Sequence, residues 1–169
     1  MEKLQLNDLM RSQYVKRWHI VNTAKSQSLA EHQFNVAMIA ATIATKLKAN
    51  NSFIKNVTIL ALMHDAPEIV MGDIPTPAKR RGSKEGVFEF KLPFDIHVGD
   101  SESARKIVKA ADFLDAIHFV VENGVGRHAQ LALDDIRRSY KSWLADQEPQ
   151  LREATQDVEA EIFYWGFVI

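Results

Sequence analysis

SLAEHQFNVAMIAATIATKL, residues 28–47, decides how the rest of the chain is read. Ser28 followed three positions later by Glu31 is the spacing of a capping box, which opens a helix by satisfying two of its free N–H groups. Phe34, Val36, Ala37, Met38, Ile39, Ala40, Ile43, Ala44 and Leu47 then recur at helical spacing on more than one face, so this helix is expected at the centre of the fold. Asn50, Asn51 and Ser52 break it. A second helix is predicted from about Phe53 to His64 and a short third over Glu68 to Met71. From Gly72 to Asp100 the pattern gives way to charge and to Pro75, Pro77, Gly82, Gly86, Pro93 and Gly99, a loop of about 28 residues that is either functional or mobile. Helical periodicity returns from Ser101 to Glu122, stops at Asn123-Gly124, resumes from about Arg127 to Asp146, and runs again from about Gln150 to the end. Strand-like alternation is nearly absent, so the reading is all-α, a helical bundle.

The chain's 169 residues suit one hydrophobic core, and a single domain spanning 1–169 is expected. With 21 Lys and Arg against 22 Asp and Glu, no global positive field draws it to nucleic acid or anionic lipid. Any phosphate it binds must be met locally. The absence of cysteine excludes disulfides, iron–sulfur clusters, thiolate zinc sites and cysteine nucleophiles, and leaves metal chemistry to nitrogen and oxygen ligands. The first thirty residues are charged throughout, and no apolar run approaches the ~20 residues that cross a bilayer, so a soluble, cytoplasmic protein with no membrane partner is expected.

His64-Asp65 sets an imidazole beside a carboxylate at the end of an apolar segment, Ile59 to Met63. Alone the pair says little, because 6 His and 11 Asp in 169 residues give about 0.4 such steps by chance. Its setting says more. His32 lies near the start of one apolar helix, His64-Asp65 near the end of the next, and Asp112 within Lys109-Ala-Ala-Asp112 of another. An unpaired polar group in such segments is costly unless it meets a partner or a metal. Two imidazoles and two carboxylates can supply four ligands to a divalent ion and leave positions open for water and substrate. Read singly, each is a core histidine or a helix-end acid; read together, His32, His64, Asp65 and Asp112 are candidate metal ligands.

The pattern resembles that of the HD-domain metal-dependent phosphohydrolases. The run from His64-Asp65-Ala-Pro-Glu68 through Gly72-Asp73-Ile-Pro75-Thr76-Pro77-Ala-Lys79 is similar to the 5′-deoxynucleotidases of bacteria, as are Arg17-Trp18 and Lys109-Ala-Ala-Asp112. Within that superfamily, Arg17-Trp18-His19-Ile20, Pro77-Ala-Lys79, Lys109 and the short chain resemble the small dATP triphosphohydrolases of phages that replace adenine by 2-aminoadenine. The resemblance covers about Arg17 to Asp115. It implies a metal-dependent hydrolase that cleaves deoxynucleotides, dATP with dADP and dAMP foremost, to deoxyadenosine and phosphates, depleting dATP in an infected cell. Two alternatives stay open: a general 5′-deoxynucleotidase acting on monophosphates, and a nucleotide-sensing helical domain without turnover. The ligand types suit Co, Zn, Mn, Ni or Fe without choosing among them.

Arg17, Lys79 and Lys109 are the cations nearest the motif residues and are expected to meet the phosphates, whose oxygens gather charge during phosphoryl transfer. Lys109 stands three residues before Asp112, on nearly the same helix face. Arg80, Arg81 and Lys84 read as a solvated basic turn. Glu68 and Asp73 are candidates for acid–base work beside the ion, against the plainer readings of a first-turn acid and a turn-forming Gly-Asp. Trp18 is a candidate wall against the sugar that disfavours a 2′-hydroxyl, and Ile20 and Pro77 are candidates for contact with the substrate, Ile20 against adenine. His19 is either a base contact or exposed; His97, His118 and His128 read as structural or surface groups. The C-terminal octet from Ile162 to Ile169 is apolar except at Gly166. It packs either on its own bundle or against another copy, and the resemblance implies a homo-oligomer, from dimer to hexamer.

Overall fold

In the computed structural model, which describes residues 2–75, 90–91 and 101–164, the central helix is where its sequence places it. This helix, α2, spans Leu29–Lys46, with Ser28 and Glu31 each bonding the other's backbone N–H as the capping box requires. It packs against α3 (Asn51–Met63), α5 (Glu102–Asn123) and α7 (Pro149–Phe163), while α6 (Gly126–Ala145) covers the outer side of α5. Val36, Ala40, Ile43 and Ala44 of α2 meet Val57 and Ala61 of α3, Ile107, Ala111 and Leu114 of α5, and Leu151, Ala154 and Val158 of α7 in one core. Alanine at so many buried positions of α2 and α5 lets their backbones approach closely where they carry the site. The expected all-α bundle is therefore what forms.

Boundaries moved for identifiable reasons. Asn50, expected only to break α2, accepts the Phe53 N–H and caps α3, which consequently begins at Asn51. Ser101 caps α5 in the same way, and Pro149 opens α7 at a position where a missing N–H costs nothing. Helix α5 ends at Asn123, where Gly124 turns to extended backbone (φ −66°, ψ 133°), and the position suits glycine because a Cβ there would stand 2.6 Å from the Val120 carbonyl oxygen. Three elements have no counterpart in the sequence expectations. They are α1 (Leu6–Met10), the 3-10 turn Arg11–Tyr14 that follows it, and a two-residue parallel pairing of β1 (Glu2–Lys3) with β2 (Phe90–Lys91). Each is too short to show a period. The pairing places a strand fragment inside the stretch read as loop, of which residues 76–89 and 92–100 lie outside the described residues.

The segment between Val15 and Ser28 has no helix and is held instead by hydrogen bonds to two elements. The Arg17 N–H donates to the Gln27 carbonyl and the Leu29 N–H to that of Val15, which ties the segment to the start of α2. The Ala24 N–H donates to Asn123 and the Val125 N–H to Asn22, which ties it to the end of α5. Arg17 and Trp18 are thereby brought over the mouth of the α2–α3–α5 junction. A second small core of Leu4, Leu29, Ala66 and Ile69 seats α4 (Glu68–Met71) beneath them.

Candidate metal centre

His32 is fully buried in the second turn of α2, and His64 follows the last residue of α3. Their Nε2 atoms lie 3.3 Å apart. Asp65 Oδ2 is 3.4 Å from His64 Nε2 and 3.6 Å from His32 Nε2, and Asp112 Oδ1 reaches the same His32 atom at 3.6 Å. Four ligands at about 2.0–2.1 Å around one tetrahedral ion stand roughly 3.4 Å from one another. His32, His64 and Asp65 thus form a cluster of ion-binding size, with Asp112 at its edge.

Hydrogen bonding sets which ring atoms face inward. His32 Nδ1 lies 2.6 Å from Asp115 Oδ2 and His64 Nδ1 lies 2.6 Å from the Ala61 carbonyl oxygen. Both partners only accept, so a neutral ring at either position carries its proton on Nδ1 and leaves a bare lone pair on Nε2. Two such lone pairs facing each other beside two carboxylates need a proton or a cation between them. That arrangement fits a divalent metal.

Charge around the cluster points the same way. Asp65, Asp112 and Asp115 stand around the imidazoles, and Glu68 and Asp73 act on Arg17, which with Lys109 supplies the opposing charge. Arg17 donates to Asp65 Oδ2 at 2.9 Å and lies 3.9 Å from Glu68 Oε2. Burial works against its charge, but Asp65, Asp112, Asp73 and Glu68 together hold its pKa above the usual value. Lys109 holds Asp112 Oδ2 at 2.8 Å, leaving Oδ1 toward His32. Burial disfavours the Asp112 carboxylate, yet Lys109, His32 and His64 outweigh it and bring its pKa down to about 2. The two imidazoles differ: burial lowers the pKa of His64, whereas at His32 the bonds to Asp115 and Asp65 overcome burial and raise it.

The remaining predicted residues are distributed unevenly. Glu68 is buried at the start of α4, its Oε1 3.4 Å from the Ile74 N–H. The turn from His64 to Pro67 continues the helical course closely enough to bring it under Arg17. Asp73 follows Gly72, whose φ of 80° suits glycine and ends α4, and pairs with His19 at 3.2 Å. Lys109 also lies over the Phe113 ring, 4.4 Å from its centroid. Ile20 is exposed beside the site segment, without a described partner in the core. Pro77, Lys79, Arg80, Arg81, Lys84 and His97 lie outside the described residues. His118 is tilted against Phe163, and His128 is exposed, in line with their structural and surface readings. Of the apolar tail, Ile162 and Phe163 pack on the chain's own core, Tyr164 is exposed, and residues 165–169 lie outside the described part.

Trp18 has a second attachment beyond its expected role. Its ring stacks on Phe119 with centroids 5.5 Å apart, and its indole N–H donates to Gln27 Oε1 at 2.8 Å. Its φ of 65° is rare for a bulky side chain and costs on the order of 1–3 kcal/mol, which these contacts help to offset. Gln27 Nε2 in turn donates to Asp115, as does Asn35 Nδ2. Gln27, Asn35 and Asp115 were not among the sequence candidates. The one available signal was the three-residue step from Asp112 to Asp115, which puts both acids on one side of α5.

Comparison with known proteins agrees with this geometry. Residues 6–85 match the family model described as 5′-deoxynucleotidase YfbR-like. The dATP triphosphohydrolase of Salmonella phage PMBT28 is 34% identical over 91% of this chain and 89% of its own length. A 5′-deoxynucleotidase of Vibrio vulnificus is 30% identical over 71% of this chain and 75% of its own. Among solved structures, the HD phosphohydrolase of Cyanophage S-2L bound to dA and one catalytic Zn2+ ion superposes with a TM-score of 0.81. It is 24% identical and covers 96% of this chain and 98% of that one. The helical fold, the clustered imidazole and carboxylate pair and the extent of these matches lead to one conclusion: the chain belongs to the family of the phage dATP triphosphohydrolases and bacterial 5′-deoxynucleotidases that it matches.

Proposed function

We propose that this protein hydrolyses deoxynucleotides, dATP foremost with dADP and dAMP, to deoxyadenosine and phosphates, using a divalent ion held by His32, His64, Asp65 and Asp112. The observation that carries the reading is the convergence of two bare Nε2 atoms 3.3 Å apart with carboxylate oxygens 3.4–3.6 Å away. Its support for dATP is the phage dATP triphosphohydrolase that matches nearly the whole chain. When bound, the ion lowers the pKa of water and polarises a phosphoryl oxygen. Cobalt, zinc, manganese, nickel and iron all suit this donor set, and the zinc in the S-2L relative favours zinc.

In this reading the chain's own groups divide the work. Arg17 and Lys109, already paired with Asp65 and Asp112, neutralise phosphate oxygens, and Lys79 is assigned to join them. Glu68 takes the proton that the attacking water loses. A phosphorus–oxygen bond forms, the bond from phosphorus to the 5′ oxygen breaks, and that oxygen leaves protonated, with the role of acid given in this reading to Asp73, whose partner is His19 at 3.2 Å. Trp18 walls the sugar, while Ile20 and Pro77 contact the substrate, Ile20 against adenine. The same family reading assigns the protein to the cytoplasm, in a phage host where it would deplete dATP, and to a homo-oligomer. Phe34 and Met38, exposed one turn apart on α2, add to the support for assembly.

A general 5′-deoxynucleotidase remains the second reading, supported by the family description and the Vibrio relative. The experiment that separates the two is a panel of ribo- and deoxynucleoside mono-, di- and triphosphates with each candidate metal, products resolved by chromatography. A marked preference for dATP is expected. Equal turnover of all deoxynucleoside monophosphates with none of dATP would overturn it in favour of the second reading.

A further inference from the structure

Four side chains form a continuous line from the site segment to His32. The Trp18 indole N–H donates to Gln27 Oε1 at 2.8 Å, Gln27 Nε2 donates to Asp115 Oδ2 at 2.9 Å, and the same oxygen meets His32 Nδ1 at 2.6 Å. Asp115 and Gln27 are buried, and Asn35 Nδ2 occupies the other Asp115 oxygen at 2.8 Å.

The direction of each bond follows from the one before it. An indole nitrogen can only donate, so it fixes the Gln27 amide with oxygen toward Trp18 and NH2 toward Asp115. The ionised Asp115 carboxylate can only accept, and receives Gln27, Asn35 and His32 together. His32 must then carry its proton on Nδ1, which leaves Nε2 bare toward His64, Asp65 and Asp112. His64 gets its orientation differently, its Nδ1 lying 2.6 Å from the Ala61 carbonyl oxygen rather than on the line from Trp18.

We propose that Asp115 and Gln27 are positioning residues which, anchored by the Trp18 indole N–H, hold His32 in its metal-binding tautomer. Trp18 thus acts on the metal ligand as well as on the sugar. The proposal rests on His32 being a ligand. A carboxylate that orients a ligating imidazole is typically worth 10–100-fold in metal affinity, and a single neutral hydrogen bond further out about twofold to tenfold.

The test compares wild-type protein with Asp115→Asn, Gln27→Met and Trp18→Phe. Trp18→Phe keeps a six-membered ring to stack on Phe119 while removing the donor with the rest of the indole. Zinc affinity is measured by chelator competition, and the tautomer of His32 in metal-free protein by 15N NMR in alkaline buffer. Asp115→Asn is expected to lose 10–100-fold in zinc affinity and the other two about twofold to tenfold. In Asp115→Asn, His32 should shift from pure Nδ1–H toward a mixture of tautomers while His64 stays unchanged; in the other two Asp115 still accepts from His32 Nδ1, so the loss shows in affinity. Wild-type zinc affinity in both Gln27→Met and Trp18→Phe would overturn the proposal, even if Asp115→Asn fails to fold. If the wild type binds no zinc, the metal reading fails instead, and the NMR arm still decides whether Asp115 sets the tautomer.

Discussion

Replacing Asp65 by alanine should separate chemistry from folding. Asp65 is largely shielded and accepts from Arg17 at 2.9 Å, but Arg17 also has Glu68 at 3.9 Å and stays near compensating charge when Asp65 is gone. The variant also removes one negative charge from a cluster rich in them. The expected loss is that of one charged hydrogen bond, about 1–3 kcal/mol, which lowers Tm by roughly 2–12 °C at about 2–4 °C per kcal/mol for a chain of this size. Turnover should fall far more. The contribution of an ion to the transition state is several kcal/mol, and at about 1.4 kcal/mol per tenfold the rate should drop by at least about a thousandfold. The assay is dATP turnover with saturating zinc, alongside circular dichroism and thermal melts with and without the metal. The melting rise that zinc confers on the wild type should also disappear. Wild-type turnover in a folded Asp65→Ala protein would refute the ligand assignment, and loss of helicity would show that Asp65 serves the fold.

Trp18→Ala should narrow the preference for dATP over ATP by about tenfold to a hundredfold, the worth of one unaccommodated hydroxyl; an unchanged ratio of kcat/KM values would remove Trp18 from the sugar pocket. Because Asp115 and Asp65 overcome burial and raise the pKa of His32, protons compete for its Nε2 at unusually high pH. Zinc affinity should therefore fall as pH drops through that raised value, starting above the point set by a free imidazole near about 6.5. Chelator competition from about pH 8 to about pH 5 measures this, and a flat profile would contradict it. Sedimentation at micromolar concentration should show a homo-oligomer; a lone 19.2 kDa species would exclude one.

The parts of the molecule legible in its sequence are those where one chain segment carries the whole signal. The capping box at Ser28 and the long apolar period after it define α2 without reference to any other element, and Ser101 and Asn123-Gly124 bound α5 in the same way. His32, His64, Asp65 and Asp112 could be picked out because each interrupts an apolar run, and the fold does bring them together. What stayed hidden depends on pairing across distance. Gln27 and Asp115 are 88 positions apart, and neither is unusual in its local setting. The strained backbone of Trp18 is equally invisible, since the ring contacts that offset it, with Phe119 and Gln27, are made across the fold. The short helix Leu6–Met10 has a capping box between Gln5 and Asp8 and contacts the 3-10 turn and α4, but its five residues are too few to show a period.

The central claim is that water is added to phosphorus by a metal held at His32, His64, Asp65 and Asp112, and oxygen labelling tests it most directly. Metal-loaded protein is given dATP in water enriched in 18O, and the nucleoside and phosphate products are analysed by mass spectrometry, with a parallel sample stripped by chelator and then reloaded. The account predicts label in the phosphate products alone, none in deoxyadenosine, no turnover after stripping and its return on reloading. Label in deoxyadenosine, or hydrolysis undiminished in the stripped protein, would contradict it.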